Sequence, residues 1–155
     1  ESYGSEADIN ALTNSLKIKD SLIIDALHKM SVNELVKVEG DLLKLTKEGR
    51  QYALKIIRVH RLWEKYLSEK TGFHKKDWHE IAEKMEHNLD SDQAEELAMN
   101  LGNPRFDPHG DPIPTATGEI EAIKGSPLPT FEEGVTFTKL PNILLTSVYI
   151  FFTSS

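Results

Sequence analysis

The stretch Leu35-Val-Lys-Val-Glu-Gly-Asp-Leu-Leu-Lys-Leu45 places two short apolar runs on either side of a Glu-Gly-Asp turn. Gly40 can adopt the positive φ that a tight turn requires, so the stretch predicts a β-hairpin. Upstream, residues 9–16 and 22–30 carry apolar side chains at helical spacing, which predicts two short helices joined by a turn. Two helices followed by a hairpin match the order of elements in a winged helix-turn-helix.

A long helix is predicted over residues 47–69, beginning after Thr46. Its apolar residues cover more than one face, so we expect it to pack against its own domain and against a partner chain. Two shorter helices are predicted over residues 75–88 and 91–101, followed by a proline-rich loop at 104–114. From residue 115 onward the composition changes, and short strands are possible up to residue 137.

The composition limits the class of protein. A chain of 155 residues, 39% apolar and 28% charged, suits one soluble domain or two small ones that share a core. The net charge of −7 argues against generic polyanion binding. Because the sequence has no cysteine, any metal must be held by nitrogen and oxygen, which favours manganese, ferrous iron or zinc. The chain opens without a charged and apolar leader, so a cytoplasmic location is expected.

Two imidazoles and two carboxylates fall within nine residues of the predicted helix 75–88, namely His79, Glu83, Glu86 and His87. At about 100° per residue they lie at roughly 0°, 40°, −20° and 80°, on one helical face. This set suits a divalent transition metal. The alternative is a solvated acidic face on which Glu80 and Lys84 form an ion pair four residues apart.

A second pair, His60 and Glu64, stands four residues apart on the predicted long helix, hence on one face. Such a pair occurs by chance on many helices. His74 and His109 fall in predicted loops and are interpreted as surface residues. A metallohydrolase would use the same ligand types, but the sequence shows no nucleophile elbow or phosphate loop near the carboxylates, so an enzyme is not predicted.

Four ordered motifs carry a resemblance to a known family: Gly40-x4-Leu45-Thr-x2-Gly49-x3-Ala53, Val59-His-Arg-Leu-Trp-Glu64-x2-Leu67, His79-x3-Glu83-x2-Glu86-His87 and Asp107-Pro-His-Gly-Asp-Pro-Ile-Pro114. Over about residues 5–115 the chain resembles the diphtheria-toxin-repressor family of metal-dependent transcriptional regulators. The resemblance implies a mainly α fold with a winged helix-turn-helix at 1–46, truncated at its start. It also implies a helical metal-binding and dimerisation domain at 47–115, then a partial β-rich or linker segment at 116–155.

The resemblance implies two metal sites. Glu83, Glu86 and His87 correspond to the family's primary site, and His60, Glu64 and His79 to its ancillary site. Iron-responsive members often carry cysteine where this chain has Glu83, whereas manganese-responsive members carry glutamate. Mn2+ is therefore the first choice of cofactor and Fe2+ the second, with Zn2+ able to bind in vitro.

The chain departs from the family in three respects. Family members begin with a further helix that supplies a primary-site ligand, so we expect an incomplete site or a truncated chain. The residues after the second domain are too few for the family's full SH3-like domain. The DNA-reading positions implied by the resemblance are Lys19, Ser21, Leu22, Asp25 and His28. Residues 1–50 carry seven Lys/Arg against nine Asp/Glu, a balance that disfavours phosphate contact.

Two functions stay open. The first is a homodimeric, metal-activated repressor that binds operator DNA. The second is a cytosolic metal-sensing domain attached to a membrane transporter of metal ions, which no longer binds DNA. The acidic DNA-reading segment and the apolar run at 140–152 favour the second, although that run is shorter than the ~20 residues a membrane helix needs.

Overall fold

The computed structural model describes residues 6–10, 14 and 20–120. In chain order the elements are β1 (Glu6–Asp8), α1 (Asp20–Val32), β2 (Val36–Glu39), β3 (Leu42–Leu45), α2 (Lys47–Lys70), α3 (Lys75–Met85) and α4 (Ser91–Asn100). The predicted mainly α class is confirmed for these residues. No helix in the described ranges combines the length and the apolar character needed to cross a bilayer. The predicted strands beyond residue 120 and the apolar run at 140–152 lie outside the described residues.

The predicted hairpin is present as β2 and β3, which pair antiparallel, and Gly40 adopts a φ of 62° in the turn between them. Helix α1 packs against the hairpin, and their shared core is made of Ile23, Leu27, Met30, Val36 and Leu43. The helix predicted at 9–16 is described only at residues 9, 10 and 14, which are helical.

Strand β1 was not predicted, because residues 1–8 are mostly polar. Glu6–Asp8 pairs antiparallel with β3, which gives the strand order β1-β3-β2. The pairing uses main-chain groups on the open edge of the hairpin. A short strand of this kind leaves little hydrophobic signal in the sequence.

Helix α2 begins after the N-cap residue Thr46, as predicted. The Thr46 hydroxyl oxygen accepts a hydrogen bond from the Gly49 amide at 2.9 Å, and the hydroxyl donates to the Glu34 carbonyl at 2.7 Å. The first turn of α2 is thereby tied to the chain segment that leads into β2. This cap sets the direction in which α2 leaves the hairpin.

Helix α2 is the central element of the C-terminal half, with both α3 and α4 packed against it. Leu62, fully buried, contacts Ala98 of α4 and Ile113 of the proline-rich loop in one core cluster. Helix α4 begins at Ser91 as predicted, after the N-cap residue Asp90, which forms a capping box with Gln93 in which each side chain accepts a hydrogen bond from the other residue's amide.

Helix α3 ends earlier than predicted, at Met85 instead of residue 88. Glu86 is the C-cap residue and keeps near-helical angles, with its amide donating to the Ala82 carbonyl. The next residues form a turn in which the Asn88 side chain caps the Lys84 carbonyl at 3.2 Å. The turn changes the direction of the chain before Asp90, so the predicted helix loses its last three residues.

Candidate metal centre

Three potential ligands from two helices meet at the α2–α3 interface. His60 and Glu64 lie on adjacent turns of α2, and His79 lies on the first half of α3. His60 Nε2 is 3.4 Å from Glu64 Oε1 and 3.1 Å from His79 Nδ1, and His79 Nδ1 is 3.3 Å from Glu64 Oε1. Atoms at these separations can ligate one ion at about 2.1 Å each. We call these residues the three-ligand cluster.

Burial differs between the members of the three-ligand cluster. The Glu64 side chain is 5% exposed and that of His60 15%, whereas that of His79 is 67% exposed. The cluster is therefore open to solvent on the α3 side and closed on the α2 side. An ion could enter past His79 and meet a buried carboxylate.

The predicted primary-site residues are arranged differently. Glu86 is 1% exposed and its Oε2 lies 2.6 Å from His60 Nδ1, while its Oε1 lies 3.4 Å from His87 Nε2. Glu83 does not belong to the three-ligand cluster, and neither do Glu86 and His87. Of the four residues predicted to share one helical face, His79 is thus the one that belongs to the three-ligand cluster.

Two buried carboxylate oxygens fit a cation-binding role. Within the described ranges, Glu83 Oε1 and Glu86 Oε1 are buried and accept no hydrogen bond. A buried carboxylate oxygen without a donor is unfavourable, by about 1–3 kcal/mol or more. A divalent cation with nitrogen and oxygen ligands would compensate that loss, so the residues present fit such an ion.

Charge interactions inside the three-ligand cluster shift two pKa values in opposite directions. Burial lowers the pKa of His60, but hydrogen bonds and attraction from Glu64 and Glu86 outweigh it and raise the pKa to about 9. Burial raises the pKa of Glu64, but hydrogen bonds from His60 and His79 outweigh it and lower the pKa to about 2. In the metal-free protein at neutral pH, His60 and Glu64 therefore form an ion pair.

We expect the metal-free protein to lose stability as the pH rises from about 6.5 to about 9. His60 has its pKa raised from 6.5 to about 9, so its contribution is complete below 6.5 and is lost as the pH rises through 9. The pKa of Glu64 is lowered from 4.5 to about 2, so its contribution is present above 4.5 and is lost as the pH falls through 2. The free energy of unfolding should therefore be highest between pH 4.5 and pH 6.5. It should fall by on the order of 2 to 3 kcal/mol on the alkaline side.

Urea unfolding of chelator-treated protein at a series of pH values measures this dependence. The His60→Gln variant is the control and should show a much flatter profile between about pH 6.5 and pH 9. An equal alkaline decline in both proteins would contradict the assignment to His60.

His109 is exposed, as the sequence predicts, and its Nε2 lies 3.8 Å from Glu64 Oε1. Its position depends on Asp107, whose Oδ1 accepts hydrogen bonds from the amides of His109 at 2.8 Å and Asp111 at 2.9 Å. The Asp107 carboxylate is buried beside Arg61 of α2, which also donates to the Pro112 carbonyl. The aspartate at the start of the Asp107–Asp111 segment is the signal that could have predicted an ordered loop.

The predicted DNA-reading residues are exposed on α1 where the structure describes them, namely Ser21, Leu22, Asp25 and His28. Lys19 lies outside the described residues. The same surface also exposes Ile24, at 64%, so it carries two aliphatic side chains and one acid. His74 is exposed at the N-cap of α3, as the sequence predicted.

Comparisons with known proteins match most of the chain to iron- and manganese-dependent repressors. Residues 46–115 match the family described as iron dependent repressor, metal binding and dimerisation domain. The iron-dependent repressor IdeR of Mycobacterium tuberculosis is 34% identical over 122 residues, which cover 77% of this chain and 51% of that protein. A manganese-dependent transcriptional repressor solved with manganese is 31% identical, with a TM-score of 0.65 over 75% of this chain and 53% of the other.

A different kind of relative has a higher identity over a shorter stretch. A probable metal transport system membrane protein of Chlamydia pneumoniae is 44% identical over 85 residues, which cover 55% of this chain and 19% of that protein. The chain thus spans about half the length of the curated repressors it matches, and under a fifth of this transport protein.

Proposed function

Because the chain belongs to the diphtheria-toxin-repressor family, we propose that it is a metal-dependent transcriptional regulator of metal homeostasis. The observation that carries the proposal is the three-ligand cluster, in which two helices bring His60, Glu64 and His79 within 4.8 Å of one another. The function is regulatory and not catalytic, as in the repressors to which the chain is similar.

We assign His60, Glu64 and His79 to one metal position and Glu83, Glu86 and His87 to a second. The donor atoms are nitrogen and oxygen only, because the sequence has no cysteine. Glu83 offers a hard oxygen ligand, so Mn2+ is the first choice, Fe2+ the second, and Zn2+ can bind in vitro. A bound divalent cation would supply positive charge that replaces the proton His60 now holds, and the cluster would tie α2 to α3.

The effect of metal on DNA binding would follow from the division of the chain into domains. Residues 1–46 would form the winged helix-turn-helix, with α1 as the DNA-reading helix, and residues 47–115 the metal-binding and dimerisation domain. In a homodimer the two copies of α1 would be held at the spacing of two operator half-sites. Metal binding would favour the arrangement of the two domains in which that spacing is correct.

Fluorescence anisotropy with the complete protein and promoter fragments of its own genome tests this proposal. We expect DNA binding in the presence of Mn2+ or Fe2+ and loss of binding after chelation. A matched reaction with Glu64→Gln should resemble the chelated sample. Absence of binding to every fragment with both metals would contradict a role as a DNA-binding repressor.

A second candidate function is a metal-sensing domain of a metal transport protein that no longer binds DNA. It is supported by two chlamydial relatives described as probable metal transport system membrane proteins, at 44% and 42% identity over 85 and 73 residues. It is also supported by α1, where Asp25 and the aliphatic Leu22 and Ile24 are exposed.

The two candidates differ in the surrounding gene and in the output. A transport protein should encode membrane spans in the same reading frame as this segment, and its metal binding should have no effect on DNA affinity. A complete gene without such spans would contradict the second candidate.

A further inference from the structure

Glu86 contacts a histidine through each of its two carboxylate oxygens. Its Oε2 lies 2.6 Å from His60 Nδ1, and its Oε1 lies 3.4 Å from His87 Nε2. The other ring nitrogen of His60, Nε2, faces Glu64 and His79 of the three-ligand cluster. The Glu86 side chain, 0% exposed, thus lies between His60 of the three-ligand cluster and His87.

The geometry at His60 determines which nitrogen is available to a metal. An imidazole that ligates an ion through one nitrogen normally donates the proton on its other nitrogen to a carboxylate or carbonyl. At His60 the acceptor is already in place, because Nδ1 and Glu86 Oε2 are within strong hydrogen-bond distance. This arrangement fixes the orientation of the ring and leaves Nε2 directed into the three-ligand cluster.

We propose that Glu86 is a positioning residue for the three-ligand cluster as well as a ligand of the second metal position, an inference that rests on the proposed metal binding. One of its oxygens holds the His60 ring so that Nε2 can ligate, while the other is directed toward His87. A substitution at Glu86 therefore weakens both metal positions, although Glu86 is not a member of the three-ligand cluster.

The test uses a His87→Ala background, where the second position lacks one ligand and the three-ligand cluster is complete. Calorimetric titration with Mn2+ compares this background with Glu86→Gln and Glu80→Gln added separately. Both changes remove one carboxylate charge near the same helix, but Glu80 is exposed and pairs with Lys84. We expect Glu86→Gln to weaken the remaining Mn2+ affinity by about 10- to 100-fold, and Glu80→Gln to change it by less than about threefold.

A second measurement separates positioning of the His60 ring from a general loss of structure. Long-range proton–nitrogen NMR of the Zn2+-loaded His87→Ala protein should show His60 with the metal on Nε2 and the proton on Nδ1. In the Glu86→Gln variant the Nδ1 proton should exchange faster with solvent, while the thermal unfolding temperature stays close to that of the His87→Ala protein.

The outcomes are distinguishable. Equal Mn2+ affinity of the Glu86→Gln and Glu80→Gln proteins would overturn this inference and leave the proposed function intact. An NMR spectrum that places the metal on Nδ1 of His60 would do the same. Failure of the wild-type protein to bind Mn2+, Fe2+ or Zn2+ would overturn the proposed function and this inference together.

Discussion

Glu64→Gln is expected to weaken the binding of Mn2+ to the three-ligand cluster by more than about 100-fold. Replacing a residue that only supports a ligand already lowers metal affinity by about 10- to 100-fold, and Glu64 would itself be a ligand. Glu64 is the one carboxylate of the cluster, 3.4 Å from His60 and 3.3 Å from His79. The amide keeps the size of the side chain but removes the negative charge that a cation requires. Calorimetric titration of the metal-free protein measures the effect directly.

Glu69→Gln is the matched control for this experiment. Glu69 lies on the same helix, is exposed, and pairs with Lys65 at 2.8 Å. Removing its charge should leave Mn2+ affinity unchanged within about twofold, because an exposed charge pair contributes little. A Glu64→Gln protein that binds Mn2+ as tightly as the Glu69→Gln protein would show that the three-ligand cluster does not hold the ion.

Gly49→Ala is expected to destabilise the protein by about 3 kcal/mol or more. A Cβ atom at Gly49 would lie 1.8 Å from the Leu35 carbonyl oxygen and 2.7 Å from its carbon. That carbonyl cannot move freely, because it accepts a hydrogen bond from the Thr46 amide at 3.0 Å. Alanine is otherwise favoured over glycine inside helices by about 0.5–1 kcal/mol, so helix propensity alone predicts the opposite sign.

Gly72→Ala is the control for the effect of a methyl group at a glycine. No atom lies within 4 Å of a Cβ built at Gly72. Urea unfolding should give a stability within about 1 kcal/mol of the wild type for Gly72→Ala, and a large loss for Gly49→Ala. Similar values for the two variants would mean that the contact between α2 and Leu35 is not as described.

Elements determined by a few neighbouring residues could be predicted from the sequence. The hairpin depends on Gly40, the start of α2 on Thr46, and the start of α4 on Asp90, and each acts within about one turn of its own position. Helix α2 ends at Lys70, one residue beyond the predicted end, and the next residue, Thr71, is extended and its hydroxyl donates to the Leu67 carbonyl.

The candidate site could be predicted only in part. His60 and Glu64 share a face of one helix, so their spacing is sufficient to pair them. His79 joins them through the packing of α3 on α2, which spacing alone does not give and which was expected only from the family resemblance. The closeness of His109 to Glu64 could not be predicted, because it is set by main-chain hydrogen bonds to Asp107.

Anomalous diffraction at the manganese absorption edge, from crystals of the Mn2+-loaded protein, tests the central claim most directly. We predict an anomalous peak at about 2.1 Å from a ring nitrogen of His60, a carboxylate oxygen of Glu64 and a ring nitrogen of His79. Manganese peaks that lie only at other positions in the protein, or no manganese peak at all, would contradict it.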